Sequence, residues 1–279
     1  MAVLSEIWIY PVKSLPGIRL PNAVIDQRGF QWDRHWMLVD TDGVFVTQRQ
    51  KPQMALFSVQ LEQDHLIASF PDKPDLQISL NQSTGQKLKV NVWQDSINAD
   101  LVSDKADQWF SDCLDEPVRL VKMPEEAQRQ VDQEYAKADD QTGFSDGFPF
   151  LLLSQASIED LNTRIHNRIH NSIQNHTKDK TQQMTVKRFR PNLVIDDVDA
   201  YAEDKWRIVK IGDIHFRVVK PCSRCAITTV NPETAVKGAE PLLTLAKYRR
   251  EGNKVFFGQN VIHDNEGVLK QGEPLMVLE

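Results

Sequence analysis

Apolar and polar residues alternate in short bursts through the first third of the chain. The pattern predicts strands over residues 6–10, 24–26, 57–61, 66–70, 76–80 and 87–92. Residues 36–40 and 44–47 flank Thr41-Asp42-Gly43, and Asp-Gly between two apolar runs predicts a hairpin. Many short strands at regular spacing point to a barrel or sandwich and away from a parallel α/β sheet. At 103–113 the period changes, and Ala106, Trp109, Phe110 and Cys113 share one stripe of a short amphipathic helix. Cys113 therefore reads as core packing. Residues 125–141 are polar, acidic and weakly patterned, so they read as a linker or surface segment. The apolar run 148–153 predicts a buried strand. After it, Ser157 and Asp160 carry the Ser-x-x-acid capping signal of a helix running through Leu161 and Ile165. Further strands are expected at 193–195, 207–211, 215–219 and 226–230, then a helix over 240–250 and closing strands at 261–262 and 275–278. The expected class is mainly β, of the α+β kind.

Composition narrows the partners more than the fold. With 279 residues the chain can hold one large domain or two modest ones, and 41% hydrophobic with 26% charged residues suits a soluble globular protein. A net charge of −6 provides no global pull towards nucleic acid or an anionic membrane, so any anion site must be local. The start, Met1-Ala2-Val3-Leu4-Ser5-Glu6, lacks the basic and apolar pattern of a signal peptide, and no apolar stretch is long enough for a bilayer. Three cysteines cannot build a disulfide framework. The expectation is a cytoplasmic protein with neither nucleic acid nor membrane as partner.

Chemistry concentrates in a few stretches. Residues 164–187 are polar and contain a tandem echo, Arg-Ile-His-Asn twice, that sets His166 and His170 on one helical face as zinc-binding pairs are. With no third ligand placed to complete a site, the stretch reads as a solvated insertion. In Cys222-Ser223-Arg224-Cys225, two cysteines lie among Lys220 and Arg224, and nearby positive charge favours the metal-binding thiolate. A structural zinc site wants a second pair of ligands, a thioredoxin-like pair wants a following helix, and a four-cysteine cluster exceeds the cysteine count. A purely structural pair stays open, and the residues alone do not choose between Cys222 and Cys225. Arg190 and Asn192 offer donors suited to phosphate or a polar heterocycle. Lys13-Ser14 and Asp33-Arg34-His35-Trp36, taken singly, also read as surface charge.

In order along the chain these stretches form a set: Tyr10-Pro11-Val12-Lys13-Ser14, Asp33-Arg34-His35-Trp36, the run from Phe148-Pro149-Phe150 to Ser157, Arg188-Phe189-Arg190-Pro191-Asn192, Tyr201-Ala202-Glu203-Asp204, Cys222-Ser223-Arg224-Cys225 and Phe257-Gly258-Gln259. The set resembles the MOSC-domain molybdoenzymes, in particular the mitochondrial amidoxime-reducing component and bacterial YcbX-type proteins. The resemblance implies an N-terminal MOSC-associated β-barrel domain over 1–120 and a MOSC β-barrel domain with a few helices over 121–279. It implies a molybdenum cofactor, molybdenum on a phosphorylated pterin dithiolene, lying between the two and working without pyridoxal phosphate. Cys225 maps to the metal ligand and catalytic residue, and Cys222 to a neighbour. Lys13, Ser14 and Arg34 map to phosphate contacts, Arg190 and Asn192 to pterin-side contacts. Asp146, Ser223 and Arg224 map to segments near the metal. The implied reaction is reduction of N-hydroxylated small molecules, namely amidoximes, hydroxylamines and N-hydroxylated nucleobases, to amine or amidine and water. A non-catalytic carrier of molybdenum cofactor or sulfur is the alternative. YcbX-type relatives carry a ferredoxin-like domain with a [2Fe–2S] cluster, which three cysteines cannot reproduce. The implied electron donor is thus a separate protein, ferredoxin-like or a flavin/iron–sulfur reductase, or else the sequence is part of a longer chain that carries such a domain.

Overall fold

The computed structural model describes residues 1–172 and 183–279. Among the described residues the largest element is a nine-stranded sheet. Its order runs from Leu275–Val277 through Ile208–Ile211, Ile214–Ser223, Lys254–His263, Phe150–Ser154, Leu193–Asp196 and Val3–Ile9 to Ile18–Leu20, with Arg250–Glu251 paired to Lys254–His263 off that path. The pairings are antiparallel except for Phe150–Ser154 beside Leu193–Asp196. Parallel neighbours need a crossover, and the helix Gln155–Ser172 leaves directly from the first of these strands. Every residue of Phe150–Ser154 is buried, which explains why its Phe-Leu-Leu-Leu run does not alternate. Truncating Phe150 to Ala would cost on the order of 3–5 kcal/mol. The chain's ends meet beside this sheet, because the Leu4 N–H donates to the Glu273 carbonyl at 2.9 Å and Asn22–Asp26 pairs with Gly267–Lys270.

The rest of the first half builds a second core. Trp36–Val39, Arg119–Lys122, Asp95–Leu101 and Lys87–Val92 form a four-stranded antiparallel sheet. Ser58–Glu62, His65–Ser69 and Leu76–Ser79 form a three-stranded one. The helix Asp104–Leu114 buries Ala106, Phe110 and Cys113 against Trp36, Leu38 and Phe57. Ser103 caps it, with Oγ accepting from the Ala106 N–H at 3.1 Å, and Asp104 and Asp107 sit favourably in its first turn. Trp109 stays half-buried at the edge of the stripe, donating through Nε1 to the Pro74 carbonyl at 2.8 Å. Burial pushes the Cys113 thiol up to about 11, in keeping with a packing role. The chain is mainly β with a few helices, as its alternation predicts.

Four local expectations are corrected. The run 226–230 is a 3-10 turn over Ala226–Thr229, not a strand. Thr228 and Thr229 donate their hydroxyls to the carbonyls of Cys225 and Ala226 at 3.0 and 2.7 Å, and this local bonding overrides their β propensity. Of the expected helix over 240–250 only Leu242–Leu245 is helical. The helix after the buried strand starts two residues before Ser157. Ser154 Oγ accepts from the Ser157 N–H at 3.3 Å, so Ser154 does the capping. Finally, the segment over 125–141 is pinned rather than loose. Arg129 is buried and donates to the carbonyls of Gly143 and Ser145 and to Asp95. The side chain of His170 and most of the polar stretch after it lie outside the described residues.

Candidate functional site

The nine candidate residues, Lys13, Ser14, Arg34, Asp146, Arg190, Asn192, Ser223, Arg224 and Cys225, all line one cleft of about 350 Å³. They arrive on loops that leave sheet strands. Lys13 and Ser14 follow Val3–Ile9, Asp146 precedes Phe150–Ser154, Asn192 precedes Leu193–Asp196, and Ser223 ends Ile214–Ser223. Their backbone is unusual. Ser14, Arg34 and Arg190 hold φ of 67°, 46° and 57°, a left-handed conformation that costs a non-glycine residue of order 1–3 kcal/mol and clusters at functional sites. Gly143 passes so close to Arg34 that a Cβ there would lie 3.0 Å from its carbonyl oxygen.

Tyr10 organises the cationic wall. Its hydroxyl donates to the Pro191 carbonyl at 3.0 Å, and two guanidiniums lie over its ring, Arg190 at 4.2 Å and Arg34 at 4.4 Å from its centre. Arg34 is tied to Asp33, whose other oxygen takes the Tyr10 N–H at 2.7 Å. Arg34 also donates to Asn192 Oδ1 at 2.9 Å. Asn192 is buried, with Oδ1 also taking the Leu151 N–H at 3.2 Å and Nδ2 donating to the Trp8 carbonyl at 3.1 Å. Its amide therefore holds the arginine in place. Arg190 donates through Nη1 to the Leu15 carbonyl at 2.6 Å, while its buried Nη2 has no partner among the described residues. Burial, and then the like charge of Arg34, lower the Arg190 pKa from its ordinary value.

On the opposite wall Arg224 donates through Nη1 to Cys222 Sγ at 2.9 Å and through Nη2 to the Phe189 carbonyl at 2.6 Å. Its buried Nε is again without a partner among the described residues. Cys225 begins the 3-10 turn, half-buried, and its sulfur makes no hydrogen bond among the described residues. Lys13 is buried and donates to the Phe144 carbonyl at 2.7 Å and to Asp146 Oδ1 at 2.6 Å. Burial lowers its pKa against the pull of Asp146. Burial would raise the Asp146 carboxyl, but the Lys13 ammonium and the hydrogen bonds from Lys13 and Trp93 hold it well below the usual carboxylate range. With Lys220, already noted beside the cysteines, and Lys254, which sequence reasoning passed over, six cationic side chains line the cleft with one carboxylate. In a chain of net charge −6 this is a local concentration of positive charge of the kind that suits an anion. Among the described residues no three His, Cys, Asp or Glu side chains gather as a metal site.

The MOSC N-terminal beta barrel domain matches residues 1–117 and the MOSC domain residues 139–276. Over its whole length the chain is 33% identical to mitochondrial amidoxime-reducing component 1 of Homo sapiens, across 83% of that protein. The chain belongs to the MOSC family. This MOSC protein is also 31% identical to mitochondrial amidoxime reducing component 2 of Homo sapiens, over 99% of the chain and 83% of that protein. It is 32% identical to the molybdenum cofactor sulfurase of Oryza sativa subsp. japonica, over 91% of the chain but 32% of that protein. The cleft of this MOSC protein lies where the two matched segments meet, with Lys13, Ser14 and Arg34 from the first and the other six candidates from the second.

Proposed function

We propose that the protein is a molybdenum-cofactor oxidoreductase that reduces N-hydroxylated compounds, such as amidoximes, hydroxylamines and N-hydroxylated nucleobases. The observation that carries this reading is an uncommitted sulfur, Cys225, in a cleft where buried N–H groups of Arg190 and Arg224 lack partners. A soft thiolate suits a metal that already has sulfur ligands, and unpartnered donors beside clustered cations suit a phosphate. The residues present fit such a group, and they fit a metal bound by protein ligands alone poorly. When bound, the cofactor supplies a two-electron redox centre.

The chain's own residues bind and orient. Lys13, the Ser14 hydroxyl and Arg34 hold the phosphate. Arg190 faces the pterin side, and Asn192 positions Arg34. Cys225 is the sulfur ligand, whereas Cys222 is engaged by Arg224 and acts as a neighbour. Asp146, ionised beside Lys13, with Ser223 and Arg224, completes the wall near the metal. For an amidoxime the balance is R–C(NH2)=N–OH plus two electrons and two protons, giving R–C(NH2)=NH and water. The electrons come from a separate donor protein, ferredoxin-like or a flavin/iron–sulfur reductase.

Among the described residues no helix is long and apolar enough to cross a membrane. With three free thiols, the protein is assigned to a reducing cytoplasm. The likeness to part of a cofactor sulfurase supports a second reading, a carrier that binds the cofactor or sulfur without turnover. Assaying loaded protein with benzamidoxime and a reduced viologen separates the two. Turnover to benzamidine is expected, and loaded protein that leaves benzamidoxime untouched would be a carrier.

A further inference from the structure

Trp93 stands at the tip of the hairpin between Lys87–Val92 and Asp95–Leu101, against two unfavourable conditions. Its backbone is left-handed, with φ of 57°, where glycine or asparagine is the ordinary hairpin residue and a bulky side chain is crowded. Its side chain is large and apolar yet 51% exposed. Neither feature helps the fold, so the indole is held at the surface for its contacts.

Those contacts point to the cleft. Nε1 donates to Asp146 Oδ1 at 3.2 Å, the same oxygen that accepts from Lys13 at 2.6 Å, and Asp146 lines the cleft. Phe45 meets the indole edge-on, with ring centres 5.2 Å apart. The Arg49 guanidinium lies over the ring, 4.8 Å from its centre. Arg49 thus covers part of the ring, the hydrogen bond to the cleft wall fixes its orientation, and half of the side chain stays exposed. Phe148, two residues beyond Asp146, adds a second half-buried ring to the lining of the same cleft. A half-exposed indole held in place beside a binding site offers a flat π-system something to pack against.

We propose that Trp93 is a specificity-determining residue whose exposed indole holds the planar ring of aromatic N-hydroxylated substrates, favouring them over aliphatic ones. The proposal rests on the reductase reading above, and two readouts keep the two apart. In loaded enzyme with a small-molecule donor, the ratio of kcat/KM for benzamidoxime to that for acetamidoxime should fall about two- to tenfold in Trp93→Ala, mainly through KM. Trp93→Phe, which keeps a ring but loses the bond to Asp146, should restore most of it. An unchanged ratio in Trp93→Ala would overturn the proposal. So would equal losses for both substrates that occur only with a protein donor, since Trp93 would then be a docking residue for that donor.

The second readout needs no turnover. With no electron donor present, benzamidoxime should shift the Trp93 indole N–H resonance, assigned by its absence in Trp93→Phe, and acetamidoxime should not. A resonance silent to both compounds overturns the proposal. A resonance that responds in protein that reduces neither compound leaves the aromatic platform standing and removes the reductase reading.

Discussion

Two sets of arginines in this molecule are handled in opposite ways. Arg249 forms a fork with Asp204, donating through Nη1 and Nη2 at 2.6 and 2.9 Å, and Gln259 braces the same carboxylate at 2.7 Å. Arg217 makes two 2.8 Å bonds to Asp140 and a third to Asp264. Although burial lowers the pKa of these two guanidiniums, their carboxylate partners bring about a net rise. Arg190 and Arg224 form no ion pair among the described residues, spend their bonds on carbonyls and a sulfur, and each keeps one buried N–H without a partner. Leaving a buried donor of a charged group unsatisfied costs more than about 1–3 kcal/mol. The paired arginines serve the fold, and on the proposed function the unpaired ones await an anion from outside the chain.

The comparison can be broken first at the sulfur. Cys225→Ala should abolish reduction of an N-hydroxylated substrate, because the ligand and not a contact is lost. Cys222→Ala should keep appreciable activity, since its sulfur accepts only from Arg224. Steady-state rates of both variants with a viologen donor check this, and full activity in Cys225→Ala would remove the cysteine from the mechanism.

The next effect is a double dissociation. Arg190→Met removes a charge-assisted contact worth about 1.5–3 kcal/mol, so cofactor retention should weaken roughly tenfold to a hundredfold while the melting temperature stays near wild type. Arg249→Met leaves Asp204 without its cation and should lower stability by about 2–3 kcal/mol, with cofactor per folded chain unchanged. Molybdenum content and thermal melts of both variants decide it. Loss of stability in Arg190→Met with normal retention would reverse the roles assigned to the two sets.

How far the sequence shows this division depends on the residue. The short-strand alternation and the buried run Phe150–Ser154 announce a mainly β chain, because burial and pleat act residue by residue. The stretches holding Lys13, Arg34, Arg190 and Cys225 are visible as cationic or thiol clusters, but that they face one cleft follows from strand order. Thr228 and Thr229 mislead, since hydroxyl bonds to nearby carbonyls override their β preference. Arg129, buried within an apparently loose segment, and Trp93, left-handed at a turn, carry no signal in periodicity at all.

A smaller effect tests the same contrast among acids. Glu203 adjoins the paired Asp204 but is buried, with Oε1 accepting from Ser154 and Ser157 and Oε2 without a partner among the described residues. Burial raises its carboxyl above the ordinary glutamate value of 4.5. A pKa raised in the folded state means that its stabilising contribution is present below the unfolded value and is lost as pH rises through the folded one. Glu203→Gln should therefore raise the melting temperature near pH 7 and lose that advantage below about pH 4.5. A pH-independent difference would show that its protonation is not at issue.

The central claim, that the cations of the cleft hold a phosphorylated molybdenum cofactor, is tested most directly by its contents. Protein purified from a host competent in cofactor synthesis should contain molybdenum and phosphorylated pterin in equal amounts, and Arg190→Met prepared alongside should contain much less of both. Wild-type protein holding neither, while other molybdenum enzymes of the same cells are loaded, would contradict the account.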